Sequence, residues 1–202
     1  MSEALIGPNA IIQVAGAIRS QHDAARLDEV MQQAGLAHYV AKPPSSMVPE
    51  TEVATLHRAV AGLIPAPQGE AIMREAGRNT ALYLLANRIP ALAQAVLKLL
   101  PAPLAARALL AAITRHAWTF AGSSRFSHDA RHPVHISLEG SPLFATPECR
   151  SLAAAYFEAT FETLFQTLVS RRTRAVSRPE AADENGAGRH HAACAFDLVW
   201  RP

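Results

Sequence analysis

Aromatic residues are scarce in this chain, at 6% of its 202 residues. A core so poor in rings must be built mostly from Ala, Leu and Val, a composition that favours helix. Cysteine is scarcer still, with Cys149 and Cys194 alone. Two thiols exclude a disulfide framework and a self-sufficient four-cysteine iron–sulfur cluster. Met1, Ser2 and Glu3 carry no basic-then-apolar leader. Together these absences lead us to expect a reducing, cytoplasmic setting. Long apolar runs are also missing. The most apolar stretch, 81–113, is broken by Asn87, Arg88, Pro90, Lys98, Pro101, Pro103 and Arg107. A membrane span needs roughly 20 uninterrupted apolar residues, so no transmembrane helix is expected, while contact with a membrane surface stays open. Excess charge is lacking too: a net charge of +2 gives no reason to expect a nucleic-acid partner. Arg171, Arg172, Arg174 and Arg178 read as a solvated strand edge whose charge blocks unwanted pairing. Docking of an anionic ligand group there is the alternative. No strand leads into G-x-G-x-x-G, and neither a P-loop nor a G-x-S-x-G elbow is present.

What the chain does have is enough apolar residue to bury. Half of it is hydrophobic and 18% is charged, a globular balance. Helix starts are marked by Pro8, Asp23, Pro49 and the Thr146-Pro147-Glu148 trio, with Gly35 as a stop. The expected helices cover 8–18, 23–34, 49–63, 70–87, 91–100, 104–113 and 146–170. Pro65 and Pro67 are read as the close of the third, and 36–40 as a non-helical link. Strands are expected at 116–120, 134–139, 172–177 and 193–200, where apolar residues alternate. Cys194, Phe196, Leu198 and Trp200 share one face of the last. Residues 179–191 are expected to form a mobile loop. The sum is an α+β fold in one domain over 1–202. Its helical part, 8–113, packs on an antiparallel sheet formed within the strand–helix–strand part, 115–202.

Two groups of residues are candidates for chemistry. His116, Trp118 and Phe120 share a face if 116–120 is a strand. A flat apolar macrocycle would stack on it, with the imidazole available to its central metal. The plain alternative is core packing beside a hydrogen-bonded histidine. Tyr39 and Tyr83 are expected behind this surface. The second group is Cys149, in a first helical turn, with Cys194 and the neighbouring His190 and His191. If that turn meets the last strand, the two thiols and one histidine, His191, could hold zinc. The competing reading is two small buried residues with no metal. His128, His132 and His135 read as an exposed loop and strand edge.

The segments IGPNAIIQV, AGLAHYV with PPSSMVPE, REAGRNTALYLLANRIP and RHAWTFAGSSRFS, taken in order, resemble the 4-vinyl reductase family of bacteriochlorophyll synthesis. The likeness runs through nearly the whole chain and is least in 179–188. It implies a domain shared with ligand-sensing regulators and a fold related to subunits of a vesicle-tethering complex. It also implies a bound porphyrin or magnesium tetrapyrrole. Related sensor domains hold zinc through cysteines, two of whose positions match Cys149 and Cys194. The intervening cysteine is absent here, and Ser124 stands where the family has a glycine. Three functions follow as expectations. The first is a tetrapyrrole binder and carrier that serves magnesium chelatase, in the cytoplasm or peripheral to the photosynthetic membrane. The second is an 8-vinyl (4-vinyl) reductase, and the third is a dimeric interaction scaffold.

Overall fold

The computed structural model describes residues 3–178 and 193–200. The loop expected over 179–191, His191 included, lies outside them. A short strand β1 (Leu5–Ile6) leads into α1 (Asn9–Gln21), α2 (Ala24–Gln33), a single turn α3 (His38–Ala41) and β2 (Val48–Pro49). Then come α4 (Glu50–Leu63), α5 (Ala66–Asn87), α6 (Ala91–Leu99) and α7 (Ala102–Arg115). A 3-10 turn (Ala117–Thr119) precedes β3 (Arg125–Asp129) and β4 (Val134–Glu139). A second 3-10 turn (Pro142–Phe144), α8 (Pro147–Leu168), β5 (Arg174–Ser177) and β6 (Ala193–Val199) follow. The α+β class expected from the pattern is the one observed.

Local chemistry sets most helix ends. The Asp23 carboxylate accepts the Arg26 backbone N–H at 2.9 Å, and Gly35 leaves α2 at φ +75°. Thr146 Oγ1 accepts from Cys149 N at 3.2 Å at the head of α8. Proline opens α5, α6 and α7 because the first turn has no use for its missing donor. Pro65 and Pro67 therefore begin α5, and the helix starts four residues before the expected Glu70. Residues 36–40, expected as a plain link, include the start of the α3 turn.

Helix α8 is buried along most of its length, between α5 on one side and the sheet on the other. Helix α5 lies so close that a Cβ on Gly77 would stand 2.2 Å from the Tyr156 carbonyl oxygen. The sheet order is β3-β4-β6-β5, antiparallel throughout. Register pairs Leu138 with Cys194, Ile136 with Phe196 and Val134 with Leu198, all six buried on the α8 side. The expected face of Cys194, Phe196, Leu198 and Trp200 is buried as a set.

The N-terminal helices are tied to this layer by buried polar contacts. Gly7 N donates to Thr119 O at 2.7 Å. The buried Glu50 carboxylate accepts from Ser141 Oγ at 2.5 Å and from Ser123 N at 3.0 Å. Gly122, at φ +57°, leaves room for it: a Cβ there would lie 2.6 Å from Glu50 Cδ. Glu50→Gln keeps an acceptor for one of these contacts and puts an amide N–H group where the other needs an acceptor. The expected cost is about 2 kcal/mol, read from the shift of a urea unfolding midpoint.

One expected strand is absent. Residues 116–120 continue helically: His116 caps α7, and its carbonyl accepts from Thr119 N at 2.9 Å. A histidine and two aromatic residues in alternation are too short a signal to resist the turn that α7 propagates. The strand beside β4 is instead β3, whose alternation carries one hydrophobic residue, Phe126.

Candidate functional site

Three elements converge where α7 ends: its last turn, the 3-10 turn and β3. The turn separates the sequence trio rather than aligning it. His116 and Trp118 point outward, with Trp118 64% exposed, while Phe120 turns in and is half-buried. Phe120 packs edge-on to Phe126 at 5.4 Å and to Phe161 of α8 at 6.1 Å between ring centroids. Phe126 in turn stacks on Phe161 at 6.1 Å and tilts against His128 at 5.9 Å. His128 Nε2 lies 3.0 Å from Thr114 Oγ1 and so joins β3 to α7. Half-buried Phe120 and Phe126, packed on Phe161, thus lie at the surface seam between the end of α7 and β3, with His128 beside Phe126 and exposed His116 and Trp118 on the turn that precedes Phe120.

Sequence reading missed Phe126, and it placed His128 on an exposed loop or strand edge without joining it to the aromatic group. Their signal was present: they sit two residues apart, the spacing that puts side chains on one face of a strand. The other two candidates lie elsewhere. Tyr39 is on α3, where its ring packs on His38 at 4.0 Å and its hydroxyl donates to Glu52 at 2.9 Å. Burial, then the bond to Glu52, raises its pKa. Tyr83 is half-buried on α5 and has no ring partner among the described residues. Among the described residues neither makes a ring contact with the Phe120 cluster.

A second polar region lies between the first half of α8 and the β5–β6 edge. Arg150, Glu158, Ser177, Arg178 and Cys194 line a shallow groove there. Glu158 is buried, accepts from Ser177 Oγ, and pairs with Arg74 at 3.3 Å. Burial, and then the Glu158 charge, push the Cys194 thiol up to about 12, so it is protonated at neutral pH. Cys149 is buried with its sulfur likewise free of any disulfide. Among the described residues no group of three His, Cys, Asp or Glu side chains is placed to hold a metal. The zinc set read from the sequence depends on His191, outside those residues.

The α+β fold matches that of a solved protein. An Fe(II) unliganded H-NOX protein mutant from K. algicida superposes with a TM-score of 0.60, covering 98% of this chain and 97% of its own, at 12% identity. That likeness defines the fold alone. Sequence comparison is narrower. The bacteriochlorophyll synthase 23 kDa chain of Cereibacter sphaeroides is 37% identical over 194 residues, covering 96% of this chain and 90% of the relative. The protein of the same name from Rhodobacter capsulatus is 41% identical over 170 residues, covering 83% and 76%. No protein-family model matches the chain. The chain belongs to the family of the bacteriochlorophyll synthase 23 kDa chain.

Proposed function

We propose that this protein binds a tetrapyrrole and carries it within bacteriochlorophyll biosynthesis. The observation that supports this reading is family membership: both relatives are named for bacteriochlorophyll synthase. The seam at the end of α7 is the surface that fits the ligand. Phe120 and Phe126 offer a floor of ring faces and edges, and Trp118 offers an exposed indole. A flat macrocycle lying against them gains stacking and apolar burial. The residues suit a pigment held on the surface, which a carrier must release, better than one enclosed. His116 and His128 supply imidazoles at the rim, suited to the central magnesium or to a propionate. Transfer to or from magnesium chelatase is the step such a carrier would serve.

The test is a titration of the purified chain with protoporphyrin, its magnesium form and divinyl protochlorophyllide, with and without a nicotinamide cofactor. Saturable binding with an unchanged vinyl spectrum is expected. Trp118→Ala is expected to weaken it about tenfold, the loss of one exposed stacking partner. Unchanged affinity in that variant removes the seam as the site. Cofactor-dependent conversion of the divinyl spectrum replaces the carrier by a reductase.

A further inference from the structure

Between Glu75 and Asp129 the chain has no acidic side chain, yet it has six cationic ones: Arg78, Arg88, Lys98, Arg107, Arg115 and Arg125. All six are exposed. The same stretch carries most of the large hydrophobic side chains that the fold leaves in solvent. Leu92 is 77% exposed and Leu99 85%, with Leu82, Val96 and Leu104 also outward. Helix α6 has no buried residue at all.

The placement within each helix is ordered. On α6, Leu92, Val96 and Leu99 are spaced four and three apart and form one outward stripe. Leu97 faces the opposite way, onto the core. Lys98 flanks the stripe. On α7, Ala105, Ala106, Leu109 and Leu110 face inward, which leaves Leu104, Arg107, Ala108, Ala111 and Arg115 outside. On α5, Arg78 and Leu82 lie one turn apart and are both exposed. Leucines with flanking cations and no acids are the composition of a helix that lies in a lipid interface.

We propose that the outer faces of α6 and α7, with the C-terminal end of α5, dock this protein on an anionic lipid bilayer. The leucines enter the acyl boundary and the cations meet the headgroup phosphates. Among the described residues no single helix is long and apolar enough to cross a membrane, and α5 and α6, which together have the length, meet at a bend of 107°. Charge decides between a bilayer and a second copy. Arg125 lies apart on β3 and pairs with Glu139 at 3.1 Å, and a two-fold contact through the helical face would set the other five cations against their own copies, with no acid between Arg78 and Arg115 to pair them. A phosphate surface pairs them all. The surface is independent of the pigment reading, since no residue of the Phe120 seam is needed for it.

Flotation of the full chain with vesicles tests this. Vesicles of phosphatidylcholine mixed with phosphatidylglycerol are expected to carry the protein up the gradient, and phosphatidylcholine alone to leave most of it behind. Added salt is expected to weaken the binding. The double variant Leu92→Ser, Leu99→Ser is expected to lose at least about tenfold in partitioning, and Lys98→Glu about fivefold or more. Both are expected to melt with the parent and bind pigment like it, because the changed side chains touch little of the fold. No flotation with the anionic vesicles overturns the proposal, as does flotation that the leucine pair leaves unchanged. A dimer abolished by the leucine pair, with no flotation, overturns it in favour of a second copy.

Discussion

Gly77→Ala is expected to lower the stability of this protein by about 3 kcal/mol or more, against the usual rule for helices. Alanine in mid-helix normally stabilises relative to glycine by about 1 kcal/mol. Here the added methyl would stand 2.2 Å from the Tyr156 carbonyl oxygen, with the Ala159 methyl and Thr160 Oγ1 at 3.1 Å. A backbone atom cannot swing away as a side-chain tip can, so α5 and α8 must part. Thr160 Oγ1 donates to the Gly77 carbonyl at 3.1 Å, and Thr80 Oγ1 meets Tyr156 Oη at 2.7 Å, so the separation also stretches buried hydrogen bonds. Gly16, mid-way along α1 with nothing within 4 Å of its would-be Cβ, is the control. Gly16→Ala is expected to gain about 0.5–1 kcal/mol. Thermal melts of the two variants should move in opposite directions, Gly77→Ala down by roughly 10 °C. A Gly77→Ala protein as stable as the parent would mean that the two helices do not cross so closely.

Acid is expected to destabilise the fold through His57 before most carboxylates are protonated. This side chain sits on α4 with 3% of its surface exposed, and its Nδ1 has no hydrogen-bond partner among the described residues. Burial lowers its pKa from 6.5 to about 4. Between those values the unfolded chain holds the proton and the folded one does not. Stability is therefore complete above about pH 6.5 and is lost as the pH falls toward 4. The shift corresponds to about 3 kcal/mol at the acid end of that window. His57→Phe removes the titration while keeping an apolar ring. Urea midpoints of the parent and His57→Phe, followed from pH 7.5 to pH 4.5, should diverge as the pH falls, the variant losing less. Parallel curves would show that His57 does not carry the acid sensitivity.

These two positions mark how far the sequence alone could be read. Helix starts were legible because their causes are local: Asp23 and Thr146 cap through their own side chains, and the prolines sit where no donor is needed. The buried face of β6 was legible because strict alternation has one physical meaning. Strand β3 was not, since its identity comes from its partner: a one-sided edge needs few apolar residues, and it supplies only Phe126. Residues 116–120 failed for the converse reason, since the helix before them decided their geometry. Of the site, His116, Trp118 and Phe120 were legible as a group, though not as a face. Phe126 and His128 join them only through pairing with β4. Nothing in the spacing of Gly77 or His57 distinguishes them from an ordinary helical glycine or a surface histidine. Both owe their roles to what α8 and α4 pack against.

The position of β6 in the sheet has a consequence for how the protein is made. Residues 193–199 are translated after every other strand, yet they lie between β4 and β5. Until they leave the ribosome, β4 has β3 alone beside it, and β5 lacks the strand it pairs with. The edge of β4 that pairs with β6, and the part of α8 that packs on β6, stay uncovered in the nascent chain for that time. The sheet therefore closes only after synthesis has passed residue 199. A premature stop or a proteolytic cut ahead of Ala193 takes out the middle of the sheet rather than its margin.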